Sequence, residues 1–169
     1  MKTTGVILII VGIGLLGGLI VDSVYANYQY KNQFTSFWEL SDKSSTITQK
    51  SEYLDKFVSA LKDSGLQGSN DSLFFPTPTR SFDQNFIALK SLQSRMHSII
   101  GMDENSFQYQ TAMEQITAQE QGQAGDMLDV FGGCWFKVHH YFLWNVFVIL
   151  GWWVAFIGAI FGGIVLLIV

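Results

Sequence analysis

Apolar residues form two unbroken blocks near the ends of the chain and one-sided, spaced patterns between them. The first block, Gly5 to Val21, is 17 residues long. As a helix it rises roughly 26 Å, enough for a bilayer core of about 30 Å once flanking residues contribute. The second block runs from about Tyr141 to Val169, and its last 24 residues, from Val146, give roughly 36 Å of helix. Such a segment spans with some tilt. Both blocks therefore predict transmembrane helices. A cleavable signal peptide competes for the first, because Lys2 supplies a positive start and Val24-Tyr25-Ala26 a small-residue site. Retention as an anchor over residues 1–25 is the expectation.

Between the blocks, strand alternation is nearly absent and helical periodicity is frequent. A three-four pattern runs through Tyr30, Gln33, Phe37, Leu40, Ser44, Ile47, Ser51, Leu54, Val58 and Leu61. Thr46 with Gln49 makes a capping box after Ser41–Ser45, a place for this long pattern to break into two helices. Gly65 to Asp71 reads as a turn. A proline-containing linker follows over 72–80, since each of Pro76 and Pro78 disfavours helix at the residue before it. Ser81 with Gln84 predicts the start of another helix carrying Phe82, Phe86, Leu89, Leu92, Met96 and Ile99, stopping at Gly101. Asp103 or Asn105 is the expected cap of a last helix bearing Phe107, Tyr109, Ala112, Met113 and Ile116. Gly122 and Gly125 weaken its polar stretch before the apolar face resumes at Met127, Val130 and Phe131.

Parity constrains the arrangement. A chain that leaves a membrane after Val21 and re-enters after Phe136 on the same side needs an even number of passes, or a long loop acting as one. The expected fold is all-α: N- and C-terminal transmembrane helices flanking an antiparallel bundle of three to four helices. The domains are then 1–25 (anchor), 26–133 (water-facing bundle) and 134–169 (interfacial segment and second anchor).

Composition sharpens this picture. The chain of 169 residues is 49% hydrophobic and only 14% charged, with a net charge of −4. No Asp, Glu, Lys or Arg occurs from Thr3 to Val21 or from Val138 to Val169, so 22 charges occupy the 115 residues from Asp22 to Phe136. An acidic chain of this kind is not a basic nucleic-acid binder. With Cys134 as its only cysteine it is not a disulfide scaffold. Lys2 before the first helix and Asp22 after it favour cytoplasmic termini and an extracytoplasmic bundle, in the cell (inner) membrane. Lys31 and Lys137 on the bundle side narrow that margin, and a cytoplasmic bundle is the alternative.

Small residues recur on the apolar helices: Gly14 and Gly18 on the first, and Gly151, Ala155, Gly158, Ala159, Gly162 and Gly163 on the second. Four-residue spacing lets a neighbouring helix approach closely, either within the chain or from a partner subunit. Trp135, Lys137, His139, His140, Tyr141 and Trp144 suit a membrane-interface belt. Trp152 and Trp153 lie about 12 Å deeper than Trp144, which hints at contact with another chain.

Candidate chemistry is sparse. Gly12, Gly14 and Gly17 match a dinucleotide fingerprint in spacing, but inside an uninterrupted apolar run rather than between strand and helix. Cys134, His139 and His140 are the one compact set of potential metal ligands. On a helix His139 lies about 140° and His140 about 240° from Cys134, so they do not converge. His97 is alone on its predicted helix, and no nucleophile, phosphate or zinc motif accompanies any of these. No catalytic residue, metal or cofactor is assigned.

The expected function is non-enzymatic: a structural or accessory subunit of a membrane complex or homo-oligomer. It would contact the lipid bilayer and other membrane subunits, or copies of itself, and no nucleic acid. The alternative is a small sensor or ligand-binding module signalling through a partner. Anchor, helical bundle and second anchor in this order resemble the ectodomain arrangement of bacterial chemoreceptors in topology.

Overall fold

The computed structural model describes the backbone of residues 2–72 and 75–168, and their side chains apart from 2–6, 8, 9, 119–123, 155, 159 and 161–168. Among the described residues the protein is all-helical, 83% helix with no strand. In order come α1 (Lys2–Tyr30), a π-helical turn (Lys31–Thr35), α2 (Ser36–Lys43), α3 (Ile47–Asp63), a short 3-10 turn (Pro78–Arg80), α4 (Phe82–Ile99), α5 (Phe107–His139) and α6 (Tyr141–Ile168). They form two compact units, one of Met1–Tyr28 with His139–Val169, the other of Gln29–Val138.

The break expected after Ser41 is present. Thr46 stands in extended conformation, and its hydroxyl accepts the Gln49 N–H at 3.3 Å, so α3 starts on the capping geometry its sequence encodes. Gly65 and Gly68 turn the chain after α3, and Gly101 after α4, all at positive φ where a side chain would be strained.

Two other caps differ from expectation. Ser81 makes no side-chain cap bond; the Asn85 amide instead donates to the carbonyls of Ser81 and Thr79, both at 2.8 Å. Asp103 accepts from the Asn105 N–H in a local turn, and Ser106 caps α5 through the Tyr109 N–H at 3.2 Å. Short polar side chains offer the backbone several alternative local bonds, so residue type and spacing alone do not decide which of them caps the helix. The helix then runs unbroken past Gly122 and Gly125. Their propensity cost of about 1 kcal/mol each is offset by buried Ile116, Ala124 and Met127 on either side.

The unit of Gln29–Val138 has one core to which α3, α4 and α5 all contribute. Phe131 is fully buried, with its ring edge-on to Phe57 of α3 at 6.2 Å and to Phe82 of α4 at 5.4 Å. Leu54, Leu61, Leu89, Leu92, Met96 and Ile99 are buried as well, as their spacing predicts. Phe107 does not join them; at the first position of α5 it is 80% exposed.

The stripe before α3 is also displaced. Phe34 and Ser41 are buried, whereas Gln33 and Leu40 are exposed. A π-helical turn holds more residues than an α-helical one, so an α-period pattern carried across Lys31–Thr35 names the wrong neighbours.

In the other unit α1 and α6 are 29 and 28 residues long, and both are long and apolar enough to cross a membrane. Only 11% and 12% of their most apolar stretches is buried. The core helix of a soluble protein is mostly covered, and these are not.

Candidate functional site

Within the unit formed by Met1–Tyr28 and His139–Val169, α1 and α6 meet where one side chain is missing. Gly18 faces the Phe147 ring so closely that a Cβ there would lie 3.0 Å from it. Gly151, itself buried, faces Leu15 and Leu16, where a Cβ would come within 3.8 and 3.5 Å. Gly158 is buried as well, while no described atom lies within 4 Å of a Cβ at Gly14. The expected packing positions Ala155, Ala159, Gly162 and Gly163 lie outside the described side chains. Gly18→Leu is expected to cost about 1–3 kcal/mol by overpacking, read as a lower unfolding midpoint of the detergent-solubilised chain. An unchanged midpoint would contradict this contact.

At the polar end of the same helices sits a buried pair. Asp22 of α1 and His140, in the junction before α6, contact through Oδ1 and Nδ1 at 3.1 Å, with side chains only 10% and 9% exposed. The second carboxylate oxygen of Asp22 is buried with no hydrogen-bond partner among the described residues. Burying a carboxylate beside apolar helices is costly unless a donor faces it, and His140 is placed to supply that donor. His140 thus points inward rather than joining an interface belt. Tyr141 and Trp144 remain partly or well exposed.

Trp135 also departs from the belt. It is 4% exposed, inside the unit of Gln29–Val138, with its ring 5.7 Å from Tyr30 and 6.5 Å from Phe34. The π-helical turn swings Phe34 toward it. Tyr30 passes so close to Gly132 that a Cβ there would lie 3.4 Å from the phenol ring, and its hydroxyl donates to the Leu128 carbonyl at 3.4 Å.

Lys137 has an internal role too. Its ammonium donates to the carbonyls of Asn70 at 2.9 Å and Ser72 at 3.1 Å, fastening the loop after α3 onto α5. Between those two carbonyls Asp71, its side chain 5% exposed, pairs with Arg80 and packs on Gly133, where a Cβ would fall 2.7 Å from the Asp71 Cβ. Cys134 is fully buried beside this clip. Burial, then the Asp71 carboxylate, push its thiol up to about 11 against the smaller opposing pull of Lys137, the Phe82 N–H and Arg80.

A thiol that ionises later in the fold than in the open chain favours the fold while it stays protonated. Its contribution is complete below the ordinary value near 9.0 and falls away as pH rises toward 11. The unfolding midpoint is therefore expected to drop more between pH 9 and 11 for the native chain than for Cys134→Ala, and equal slopes would contradict this.

One polar cluster imitates a catalytic triad. His97 Nε2 lies 2.8 Å from Asp55 Oδ1 and 3.4 Å from Ser51 Oγ, while the Gln93 amide donates to Asp55 at 2.7 Å. A hydrolytic triad needs the carboxylate on Nδ1 and the hydroxyl on Nε2. Here both meet the same nitrogen, and Ser51 is buried at 2% exposure. The cluster ties α3 to α4, so His97 is a satisfied polar contact.

Among the described residues no group of three or more His, Cys, Asp or Glu is placed to hold a metal ion. An open cleft of about 420 Å³ lies between α4 and α5, with Arg80, Asn85 and Asp126 among its lining. Comparison of the chain with family models, curated proteins and solved structures finds no match.

The Asp22–His140 pair escapes a reading of the sequence taken segment by segment. A signal for it exists nonetheless. Asp22 is the first charge after one apolar block, and His140 stands at the start of the other. If the chain leaves and re-enters on one side, the two belong at the same level. The Lys137 clip carries no such signal, because its acceptors are backbone carbonyls.

Proposed function

We propose that this chain is a non-enzymatic integral membrane protein, an accessory or structural subunit whose two apolar helices span a bilayer. Residues 26–133 form an antiparallel helical bundle on the extracytoplasmic side of the inner membrane, with both termini cytoplasmic. The observation that carries the subunit reading is the outer face of α6. Trp152, Trp153 and Phe156, each at least 60% exposed, line an apolar groove of about 260 Å³. Trp152 lies 11 residues into α6, roughly 16 Å along the helix, below the interfacial level where tryptophan usually sits. An indole N–H at that depth needs an acceptor, and lipid chains have none. A polar side chain from a neighbouring membrane helix would enter the groove and supply one.

Native mass spectrometry of the full chain, extracted in mild detergent, tests this. The expected result is a complex with other membrane subunits or with further copies. A lone monomer under conditions that preserve known complexes would contradict it.

The cleft between α4 and α5 supports a second reading, a sensor module. Its volume is within the usual range of small-ligand sites, about 300–1,000 Å³. That reading requires a solute-dependent rise in the unfolding midpoint of the full chain, lost on Asn85→Ala.

A further inference from the structure

The loop that Lys137 fastens to α5 ends in an apolar tip. Phe75 is 84% exposed, the highest value for any large apolar side chain among the described residues. Pro76 beside it is exposed as well. An exposed phenylalanine on a slack loop would mean little, but the backbone around this one is held. The Ser72 hydroxyl donates to the Phe75 carbonyl at 3.0 Å and lies 3.4 Å from the Phe75 N–H. The Asn70 side chain accepts the Ser72 N–H at 2.9 Å and donates to the Thr77 carbonyl at 2.9 Å. Lys137 holds the carbonyls of Asn70 and Ser72. The loop's two charges, Asp71 and Arg80, neutralise each other. Among the described residues, the result is a loop whose Asn70, Ser72, Phe75 and Thr77 backbone groups are engaged, with no net charge and an exposed aromatic ring. Those are the properties that lower the cost of entering the boundary between lipid headgroups and acyl chains.

Its place along the chain supplies the occupant. Lys137 is the last charged residue before the charge-free run to Val169, and Tyr141, the first residue of α6, follows four positions later. Four helical residues rise about 6 Å, comparable to the interfacial layer on each side of the hydrocarbon core. Covalent connection alone thus keeps the clip near the point where α6 would enter the bilayer. Phe107 is also 80% exposed, but it lies 30 residues up α5 from Lys137, roughly 45 Å of helix.

We propose that the Phe75 loop is a membrane-interface foot: Phe75 inserts into the headgroup–acyl boundary, and Lys137 sets its level by gripping the loop from α5. This rests on the reading of α1 and α6 as membrane spans. The foot gives the bundle a third attachment to the lipid surface, besides the two chain crossings, and so restricts its tilt.

The test uses the full chain reconstituted in phosphatidylcholine vesicles, with an environment-sensitive fluorophore attached to Phe75→Cys, Ile20→Cys or Phe107→Cys in turn. Native Cys134, buried and with its thiol pushed up to about 11, stays unlabelled at neutral pH. Position 75 is expected to show blue-shifted emission, loss of quenching by aqueous iodide, and quenching by lipids carrying a nitroxide near the headgroup. Position 107 should report water and position 20 lipid. Iodide-accessible emission at 75 with lipid-quenched emission at 20 overturns the foot and leaves the membrane spans standing. Shielding of 75 without lipid quenching also overturns it, because a protein surface then covers the ring. Water at position 20 removes the spans themselves, and the foot with them.

Discussion

Phe131→Ala is expected to destabilise the unit of Gln29–Val138 by about 4 kcal/mol, within the usual range for emptying a fully buried aromatic site. The reason is position as well as size. Phe131 is the ring on which Phe57 of α3 and Phe82 of α4 both pack, so its loss opens a cavity shared by three helices. Domains of this size have a net stability of about 5–15 kcal/mol, and the unfolding midpoint should fall by roughly 15 °C. Phe107→Ala is the control. Both are among the apolar positions expected on α5, but Phe107 is exposed and its removal should change stability by no more than about 0.5 kcal/mol. Near-ultraviolet circular dichroism of the full chain in detergent, followed through thermal unfolding, separates the two. Equal shifts would mean that α5 does not pack on α3 and α4 through Phe131.

The second large effect belongs to Asp22 and His140, and it is an effect of order. His140→Leu removes the donor facing Asp22 Oδ1 and leaves a carboxylate buried whose other oxygen already lacks a partner. Neutral hydrogen bonds between membrane helices are worth about 0.6 kcal/mol on average, whereas stranding a buried charge costs about 3–5 kcal/mol. With side chains about a tenth exposed, the single change is expected to cost about 3 kcal/mol. Adding Asp22→Leu removes the stranded charge, so the double variant should be more stable than His140→Leu alone. A double-mutant cycle on the detergent-solubilised chain measures the coupling. Additive losses would mean that the two groups do not depend on each other.

What the sequence made legible follows from where its signals are local. The two apolar blocks, the break at Thr46, the turns at Gly65, Gly68 and Gly101, and the buried faces of α3 and α4 are each written within a few residues. The π-helical turn is not. It is held by distant packing of Phe34 and Tyr30 on Trp135, and a fixed period carried across it gives the wrong face. Trp135, Lys137 and His140 show the same limit. Their types and order suit a lipid interface, yet one packs inside the unit of Gln29–Val138, one grips backbone carbonyls and one faces a carboxylate. Long-range partners decided each case, and only that of His140 was recoverable, from the parity of the crossings.

The central claim is that α1 and α6 span a bilayer, because the chain itself covers so little of their apolar surface. Alkaline carbonate extraction of membranes from cells producing the full chain tests it most directly. The protein is expected to stay with the membrane pellet at high pH and high salt and to be released only by detergent. Recovery of the intact chain, α1 included, in the alkaline supernatant would contradict the account.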